Sequence, residues 1–468
     1  MSVNLFAYFE VGRRALEASQ AALDVAGVNI ANINTPGFSR RRLDLTTVFP
    51  QSVPGGFLGQ GVNVADLHRV RDRLLSGQIV FSLGTTAGME ERQRSLSIVE
   101  SVLGSVEASP IVDGMNALSR TLTDVSSQPE NRAARQVAVD TAATLAAQIR
   151  TAYGQLERER QATDQEITDV SSQINRLTQA IAQLNKGVRA QEATGHEASD
   201  LRDQRDLKIE QLAGLVDIHV IVNSDNTVGV ALAAGGTALV TSDKAFQLVT
   251  EPDGNGLSRV IVDIPGARTD VTGVVKGGQL GGLLAARDVV AATVQAELDQ
   301  LATDLVTRFN AVHATGFDLS GAPGGAFFSV SAVPGVSAAA SIDVDAALAA
   351  DPSLLAASAT GAVGDGVIAA ALADVTTTSS ATLGGMSSVG FFSTIVARVG
   401  GDVAATDAVL ASEGQVLAGL QDLNDSVSGV SLDEEAISLI QFQRSYEAAA
   451  RFVRVLDEIT RIALTLGS

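Results

Sequence analysis

The stretch LFAYFEVGRRALEASQAALDVAGVNIANI, residues 5–33, decides the architecture of this chain. Its small and apolar residues recur at spacings that alternate between four and three, which is typical of the contact seam of a coiled-coil helix. A single helix of this kind is only marginally stable in water, so the pattern predicts a long N-terminal helix that needs a helical partner. The seam consists of Leu5, Phe9, Gly12, Leu16, Ser19, Leu23, Ala26, Ile30 and Ile33.

The opposite end of the chain supplies a candidate partner. A helix is predicted from Asp433, because Glu434 and Glu435 follow at the end where the helix dipole favours negative charge. This helix has two apolar stripes, and a helix that is apolar on more than one side must be enclosed by more than one neighbour. We expect the first helix to cover one stripe and other subunits to cover the other. The stripes are Leu439, Phe442, Tyr446, Ala449, Val453 and Leu456, and Phe452, Val455, Ile459, Ile462 and Leu466.

The middle of the chain changes its periodicity twice. Residues from about 64 to 215 have helical spacing, including a second seam that we expect Gly187 and Gly195 to close. Residues 216–222 alternate as a strand does, and short strand-like runs continue to about 275. Helical spacing returns at 282–313 and again after 351, while 320–350 is expected to add strands to the β domain. The second seam is Ile167, Val170, Ile174, Leu177, Ile181 and Leu184.

These patterns predict a mainly α fold with a smaller β domain. We expect long terminal helices that form a coiled coil, a helical-bundle body and an inserted β domain. The predicted domains are a terminal coiled coil of residues 1–40 with 434–468, a helical body of 41–215 with 280–320 and 351–433, and an outer β domain of 216–279 with 321–350.

Composition restricts the possible functions. The net charge of −20 argues against nucleic acid as a partner, since its phosphates would be repelled. The chain has no cysteine, which excludes disulfides, thiolate metal sites and cysteine nucleophiles. We expect no membrane span and no Sec signal peptide, because no apolar run reaches the required length and the start lacks a basic and apolar leader. A protein exported by a signal-independent route would have the same features.

No residue pattern indicates catalysis, a cofactor or a metal. The four histidines are scattered along the sequence and lack zinc-ligand spacing. The glycine-rich run 277–282 lacks the Lys-Ser/Thr of a phosphate loop and is interpreted as a turn before a helix. We therefore assign no catalytic, cofactor-binding or metal-binding residues. The histidines are His68, His196, His219 and His313.

Two charged clusters are given structural interpretations. The run Arg40, Arg41, Arg42 is interpreted as a solvated or subunit-bridging basic surface. In residues 200–206, DLRDQRD, three carboxylates recur at three-residue spacing with arginines between them. An acid/base or metal site was the alternative, and surface ion pairs are the favoured interpretation.

Several motifs resemble the axial proteins of the bacterial flagellum. Residues 29–38, NIANINTPGF, resemble the signature that rod, hook and hook-associated proteins share. Four further segments narrow the resemblance to the hook-associated protein 1 family, although Arg202 occupies a position where that family usually has a small or apolar residue. The segments are 200–220, 282–288 (GLLAARD), 309–318 (FNAVHATGFD) and 427–446, which includes VSGVSLDEEA and IQFQRSY.

This resemblance implies a structural protein of the hook–filament junction rather than an enzyme. Subunits are expected to stack with copies of themselves in a short helical ring, with the terminal helices as the inner tube. Hook subunits and the next junction protein are the expected neighbours. Export by the flagellar type III apparatus without a cleaved signal, escorted by a chaperone that binds the C-terminal helix, is also implied. The expected subunit-interface residues are Leu5, Phe9, Leu16, Leu23, Ile30, Ile33, Leu439, Phe442, Tyr446, Val453, Leu456, Ile459 and Ile462.

Two alternatives stay open from the sequence. The nearer is another flagellar axial protein, such as a hook or distal rod subunit, against which the long helical segment 130–215 argues. The remoter is a flagellum-associated cell-wall hydrolase with its active site in 216–350, which a peptidoglycan-degradation assay would detect.

Overall fold

The computed structural model describes residues 5–53, 56–105 and 108–466, and this part of the chain is mainly helical with a smaller β region, as the sequence predicts. The longest helix runs unbroken for 61 residues. A π-helical segment, Ala286–Ala291, joins α6 to α7. The α-helices are α1 (Leu5–Ala31), α2 (Arg73–Leu103), α3 (Pro110–Ser127), α4 (Arg132–Glu192), α5 (Ser199–Leu215), α6 (Gly278–Ala285), α7 (Ala292–His313), α8 (Ala338–Ser341), α9 (Ala346–Ala350), α10 (Val367–Ala373), α11 (Ser388–Ser428) and α12 (Leu432–Leu466).

The strands form small antiparallel sheets. The order in the two larger sheets is β5-β6-β7-β8 and β11-β10-β9, and the pairs β1-β4, β2-β3 and β12-β13 are separate. The strands are β1 (Arg41–Thr47), β2 (Gln51–Val53), β3 (Gly56–Leu58), β4 (Val62–Arg69), β5 (Ile218–Val222), β6 (Val228–Leu232), β7 (Ala238–Thr241), β8 (Lys244–Ala245), β9 (Gln247–Pro252), β10 (Ser258–Ile264), β11 (Ala267–Asp270), β12 (Phe328–Ser329) and β13 (Asp343–Val344).

The helical body is built around one apolar core to which α3, the first half of α4, α7, α10 and α11 contribute. Phe309, Phe327 and Phe328 form its aromatic centre, with ring centroids 4.8–5.3 Å apart. The side chain of Asn310 holds the two later phenylalanines in place, because its Oδ1 accepts from the N–H of Phe327 and of Phe328. Residues 321–350 therefore contact the helical body.

This placement corrects the sequence-based grouping of 321–350 with the β domain. Strand β12 pairs with β13, and neither joins the sheets formed by residues 218–270. The physical reason is that Phe327, Phe328, Ile342 and Val344 bury their side chains in the core of the body. Sequence patterns of short strands do not show which core the strands cover.

His313 is a buried residue of this body. Its Nδ1 donates to the carbonyl of Gly325 over 2.8 Å, and its Nε2 accepts from the N–H of Ala356 over 2.8 Å. Because one ring nitrogen must donate and the other must accept, the pair of bonds fits only the neutral imidazole. Burial lowers the pKa of His313 and Arg135 lowers it further, whereas the Gly325 carbonyl and the carboxylates of Asp345 and Asp318 act in the opposite direction.

We predict that acid weakens the body through His313. The unfolded chain takes up a proton as the pH falls through about 6.5, and the folded chain does so only at lower pH, so unfolding becomes more favourable in that window. The contribution is fully present above pH 6.5 and is lost below it, by at most about 1.4 kcal/mol per pH unit. The measurement is the thermal unfolding midpoint at pH 7.5 and 5.5, which should fall more for the wild type than for His313→Gln. Equal falls in the two proteins would contradict the prediction.

The second core lies between α4, α5 and the two larger sheets. Four residues of the predicted second seam, Ile167, Val170, Ile174 and Ile181, are buried there, and Leu177 and Leu184 are half-buried. This part of α4 packs against the β domain and α5 and not against a coiled-coil partner. The helix also continues through Gly187 to Glu192, so the expectation that Gly187 ends it is wrong. A Cβ at Gly187 would lie 3.1 Å from Leu201 Cδ1, which shows that the glycine lets α5 approach closely.

Two glycines allow α6 to pack closely against the end of α5 and against α2. Gly278, at the start of α6, has a left-handed φ of +70°, and a Cβ there would lie 2.4 Å from the backbone N of Val216. One turn later a Cβ at Gly282 would lie 2.6 Å from the carbonyl oxygen of Gly88 in α2. The run 277–282 therefore does more than make the predicted turn, since it packs backbone against backbone between α2, α5 and α6.

Candidate assembly interface

The two terminal helices α1 and α12 pack side by side. Near one end of the pair, a Cβ at Gly12 would lie 2.6 Å from Val453 Cγ2. At the other end, Asn29 Nδ2 donates to Glu435 Oε2 over 3.2 Å. Since residue numbers rise along one helix as they fall along the other, the helices are antiparallel.

The contact face of α1 is made of small residues. Gly12 and Ser19 of the predicted seam are buried, as is Ala26, whereas the large residues Phe9, Leu16, Leu23 and Ile30 are only half-buried. The remaining buried positions shift the face toward Ala18, Ala22 and Asn29. Small side chains allow the two helix backbones to approach, which explains why the glycine meets Val453. Ile33 lies half-buried beyond the helix end, and the side chain of Leu5 lies outside the described part of the structure.

Asn29 and Glu435 connect α1, α12 and strand β1. The Asn29 side chain donates to the carbonyl of Arg41 and accepts from its N–H, both over 3.0 Å. Glu435, which is 3% exposed, also accepts from Arg40 Nε over 2.8 Å, and Glu434 accepts from Arg40 Nη1 over 2.7 Å. The first residue of the signature at 29–38 therefore belongs to a cluster of hydrogen bonds, here called the polar joint, which ties α1 to α12 and to strand β1.

The arginine run at 40–42 is not a simple basic surface. Arg40 pairs with the two glutamates of α12, and Arg41 pairs with Asp200 of α5. Arg42 is exposed. Two of the three arginines thus join distant segments of one subunit, which corrects the predicted solvated or subunit-bridging role.

The carboxylates of α5 are also more buried than predicted. Asp203 is 6% exposed, and Arg69 Nη1 lies 2.8 Å from Asp203 Oδ1 and 3.0 Å from Asp206 Oδ2. Of the three acidic residues, Asp200 alone is exposed. The interpretation as ion pairs is right and the interpretation as a surface cluster is wrong, because Arg69, the last residue of strand β4, reaches Asp203 and Asp206 of α5.

Arg202, the position that departs from the family pattern, has a local explanation. Its guanidinium makes two bonds to Glu192, of 2.6 and 2.7 Å, and so ties the end of α4 to α5. Burial alone would raise the pKa of Glu192, but the bonds from Arg202 and from the Ala198 N–H outweigh it, and the pKa is lowered.

One face of α12 is exposed in the part of the subunit that the structure describes. Leu456 and Ala449 are buried, and Leu439, Phe442 and Val453 are half-buried. On the other side Val455, Ile459 and Ile462 are 46–53% exposed, and Tyr446 and Phe452 are exposed as well. The structure thus separates the predicted interface residues into an inner set that faces α1 and an outer set that faces away. The assembly role of the outer set remains a prediction.

Sequence patterns do not predict the polar joint. Asn29 gives a weak indication of a buried polar contact, since it is a polar residue in line with the buried face of an amphipathic helix. Glu435 gives no such indication, because a glutamate in the first turn of a helix is explained by the helix dipole alone. Their contact spans 406 residues of sequence.

A metal-binding cluster and a membrane-spanning helix are both absent from the described residues. In the ranges 5–53, 56–105 and 108–466 no group of His, Asp and Glu is arranged to hold a metal ion. Among the helices of the same ranges, none combines the length and apolarity that crossing a bilayer requires.

The chain is similar to flagellar proteins along most of its length. Residues 96–328 match the flagellar hook-associated protein FlgK helical domain, residues 425–466 the flagellar basal body rod FlgEFG protein C-terminal family, and residues 9–38 the flagella basal body rod protein family. Flagellar hook-associated protein 1 of Bacillus subtilis is 29% identical over 97% of both chains. The Salmonella typhimurium protein of that name is 30% identical over 67% of this chain and 58% of its own length.

The fold has a solved counterpart. The flagellar hook junction protein FlgK from Burkholderia pseudomallei superimposes with a TM-score of 0.68 at 19% identity, over 75% of this chain and 100% of that one. At this identity the match concerns the fold alone. The family models and the curated relatives together show that the chain belongs to the flagellar hook-associated protein 1 family, whose members are structural proteins of the bacterial flagellum.

Proposed function

We propose that this protein joins the hook of the bacterial flagellum to its filament. Copies of the chain stack in a short helical ring, with hook subunits on one side and the next junction protein on the other. The α1–α12 pair forms the inner tube of that ring, and the body and β domain lie outside it.

The uncovered apolar face of α12 supports this proposal most strongly. Val455, Ile459 and Ile462 expose large aliphatic side chains along one side of a helix whose other side is already covered by α1. Apolar side chains exposed along one side of a helix mark an interaction surface. In a ring of identical subunits, every copy offers the same face to its neighbour, so the pattern fits self-assembly.

Export belongs to the same proposal. The subunit reaches the junction through the flagellar type III apparatus without loss of a cleaved signal. A cytoplasmic chaperone covers the apolar C-terminal helix until export, which would keep its exposed face from premature association.

The test is a deletion strain. We expect cells that lack this chain to build hooks and to secrete filament subunits into the medium, and plasmid expression of the chain to restore filaments. Electron microscopy of sheared appendages and a motility assay measure the outcome. Filaments on the deletion strain would contradict the proposal, as would a strain that lacks hooks too, since the latter result indicates a rod or hook protein.

A further inference from the structure

A cavity of about 360 Å³ lies between the start of α2, helix α5 and strand β5, away from the terminal helices. Five arginines and the three carboxylates of Glu197, Asp206 and Glu210 line it, so positive groups outnumber negative ones here although the chain as a whole has a net charge of −20. Its apolar wall includes Val220 and Val222 of β5. The arginines are Arg69, Arg71, Arg73, Arg202 and Arg205.

Among the residues that the structure describes, two of these arginines lack a hydrogen-bonded carboxylate. Arg69, Arg71 and Arg202 each pair with an aspartate or glutamate at 2.6–2.9 Å. Arg73 is exposed and has no ion pair within the described ranges. Arg205 is 4% exposed, and its Nη1 donates to Asn185 Oδ1 and to the carbonyl of Asn226. Its Nε has no hydrogen-bond partner among the described residues and lies 3.7 Å from Asp206 Oδ1.

The surroundings of Arg205 favour an added negative charge. Burial lowers the pKa of Arg205 against the attraction of Asp206, and the positive charges of Arg202 and Arg69 lower it further. A carboxylate that entered the cavity would reduce this repulsion between guanidinium groups.

Strand β5 provides a second, independent feature. It is the last strand of the sheet β5-β6-β7-β8, so one of its edges pairs with no strand in the described ranges and is called the free edge. The N–H of Asn223 donates to the carbonyl of Thr227, and the N–H of Ala233 donates to the carbonyl of Asp217. In an antiparallel pair, backbone groups of successive residues point alternately toward the partner strand and away from it, so these two bonds fix which residues of β5 point toward β6. By this alternation the backbone groups of Val220 and Val222 point to the free edge, on which an extended segment can add as a strand.

We propose that this cavity binds an extended acidic peptide segment, which pairs with the free edge of β5 and places its carboxylates beside Arg73 and Arg205. Alternate residues of a strand face the same side, so acidic residues at every second position fit the arginine wall. A small free anion would meet the charge of the arginines but would leave the strand edge unpaired. The site is separate from the α1–α12 pair and does not depend on the junction role.

Fluorescence anisotropy with the full chain tests the proposal. The probe is a labelled hexapeptide in which glutamate alternates with valine, and the matched peptide has glutamine in place of glutamate. We expect the glutamate peptide to bind about tenfold more tightly, with an affinity that falls as salt is raised. Succinate and inorganic phosphate, each added as competitor, should displace it weakly.

Two variants separate the charge from the strand edge. Arg73→Gln should weaken binding about fivefold, while Arg120→Gln, an exposed arginine on α3, should have no effect. Val222→Pro removes an N–H that points to the free edge, and it should abolish binding, while Val222→Thr keeps the N–H and should bind. Thermal unfolding by circular dichroism confirms that each variant is folded.

The same measurements can also refute the proposed peptide-binding site. Equal affinity for the two peptides, no binding of either, or unchanged binding by folded Arg73→Gln and Val222→Pro would refute the site. Displacement by succinate or phosphate at concentrations comparable to the peptide would show a small-anion site instead and would also refute it.

Discussion

Replacing Ile459 by aspartate should abolish filament growth while leaving the subunit folded. Ile459 is 46% exposed on the outer side of α12, so a carboxylate there remains in water in the free monomer. In a ring the same position would be buried against a neighbour. Cells that carry Ile459→Asp as their only copy should have hooks without filaments and should not swim.

The size of the assembly defect expected for Ile459→Asp follows from the cost of removing the new carboxylate from water. A carboxylate buried in an apolar contact without a partner costs several kcal/mol, and about 3 kcal/mol per interface lowers an association constant more than a hundredfold. Because a ring repeats the contact at every subunit, the cost applies to each one. Gln443→Asp, an exposed position on the same helix, is the charge-matched control and should assemble normally.

Leu456 provides the contrasting position. It is 7% exposed on the inner side of α12, so Leu456→Asp should weaken the α1–α12 pair within the subunit as well as block assembly. Hydrogen exchange of the two terminal helices distinguishes the variants, with faster exchange expected for Leu456→Asp alone. Secretion is assayed separately, since loss of export would also prevent assembly. Normal motility of Ile459→Asp would contradict the assignment of the outer face.

The helices could be predicted because their periodicity is local. The spacing from Ile167 to Leu184 identified the correct face of α4, and Ile167 and Ile174 are fully buried. What covers that face was not predictable, since an apolar stripe has the same pattern whether a helix or a sheet packs on it. For the same reason, sequence patterns group residues 321–350 with the β domain, although these residues pack in the core of the helical body.

The polar joint could not be predicted because its members are distant in sequence. Asn29 and Glu435 meet only after both terminal helices have packed, and each side chain has an ordinary local explanation. Arg69 and Asp203 likewise pair only after the end of strand β4 and helix α5 have been brought together by folding. Charge patterns predicted that ion pairs would form, and the folded chain decided which ones are buried.

Gly278→Ala should unfold the connection between the body and the β domain. The new Cβ would lie 2.4 Å from both N and Cα of Val216 and 2.6 Å from the carbonyl carbon of Leu215, all of them backbone atoms that cannot rotate away. The left-handed φ of +70° adds a cost of about 1–2 kcal/mol for an L-residue. Together with about 1–3 kcal/mol for overpacking, the variant should lose about 2–5 kcal/mol of stability.

Gly273→Ala is the matched control for this loss. A Cβ there meets no atom within 4 Å and its φ is not left-handed, so we expect a change below about 1 kcal/mol. Thermal unfolding gives the size of each effect, and hydrogen exchange of residues 213–218 and 276–284 gives its location. If both variants unfolded at the same temperature, the close approach of α6 to Val216 would not be required for folding. A loss confined to Gly278→Ala would show that glycine is needed where α2, α5 and α6 meet.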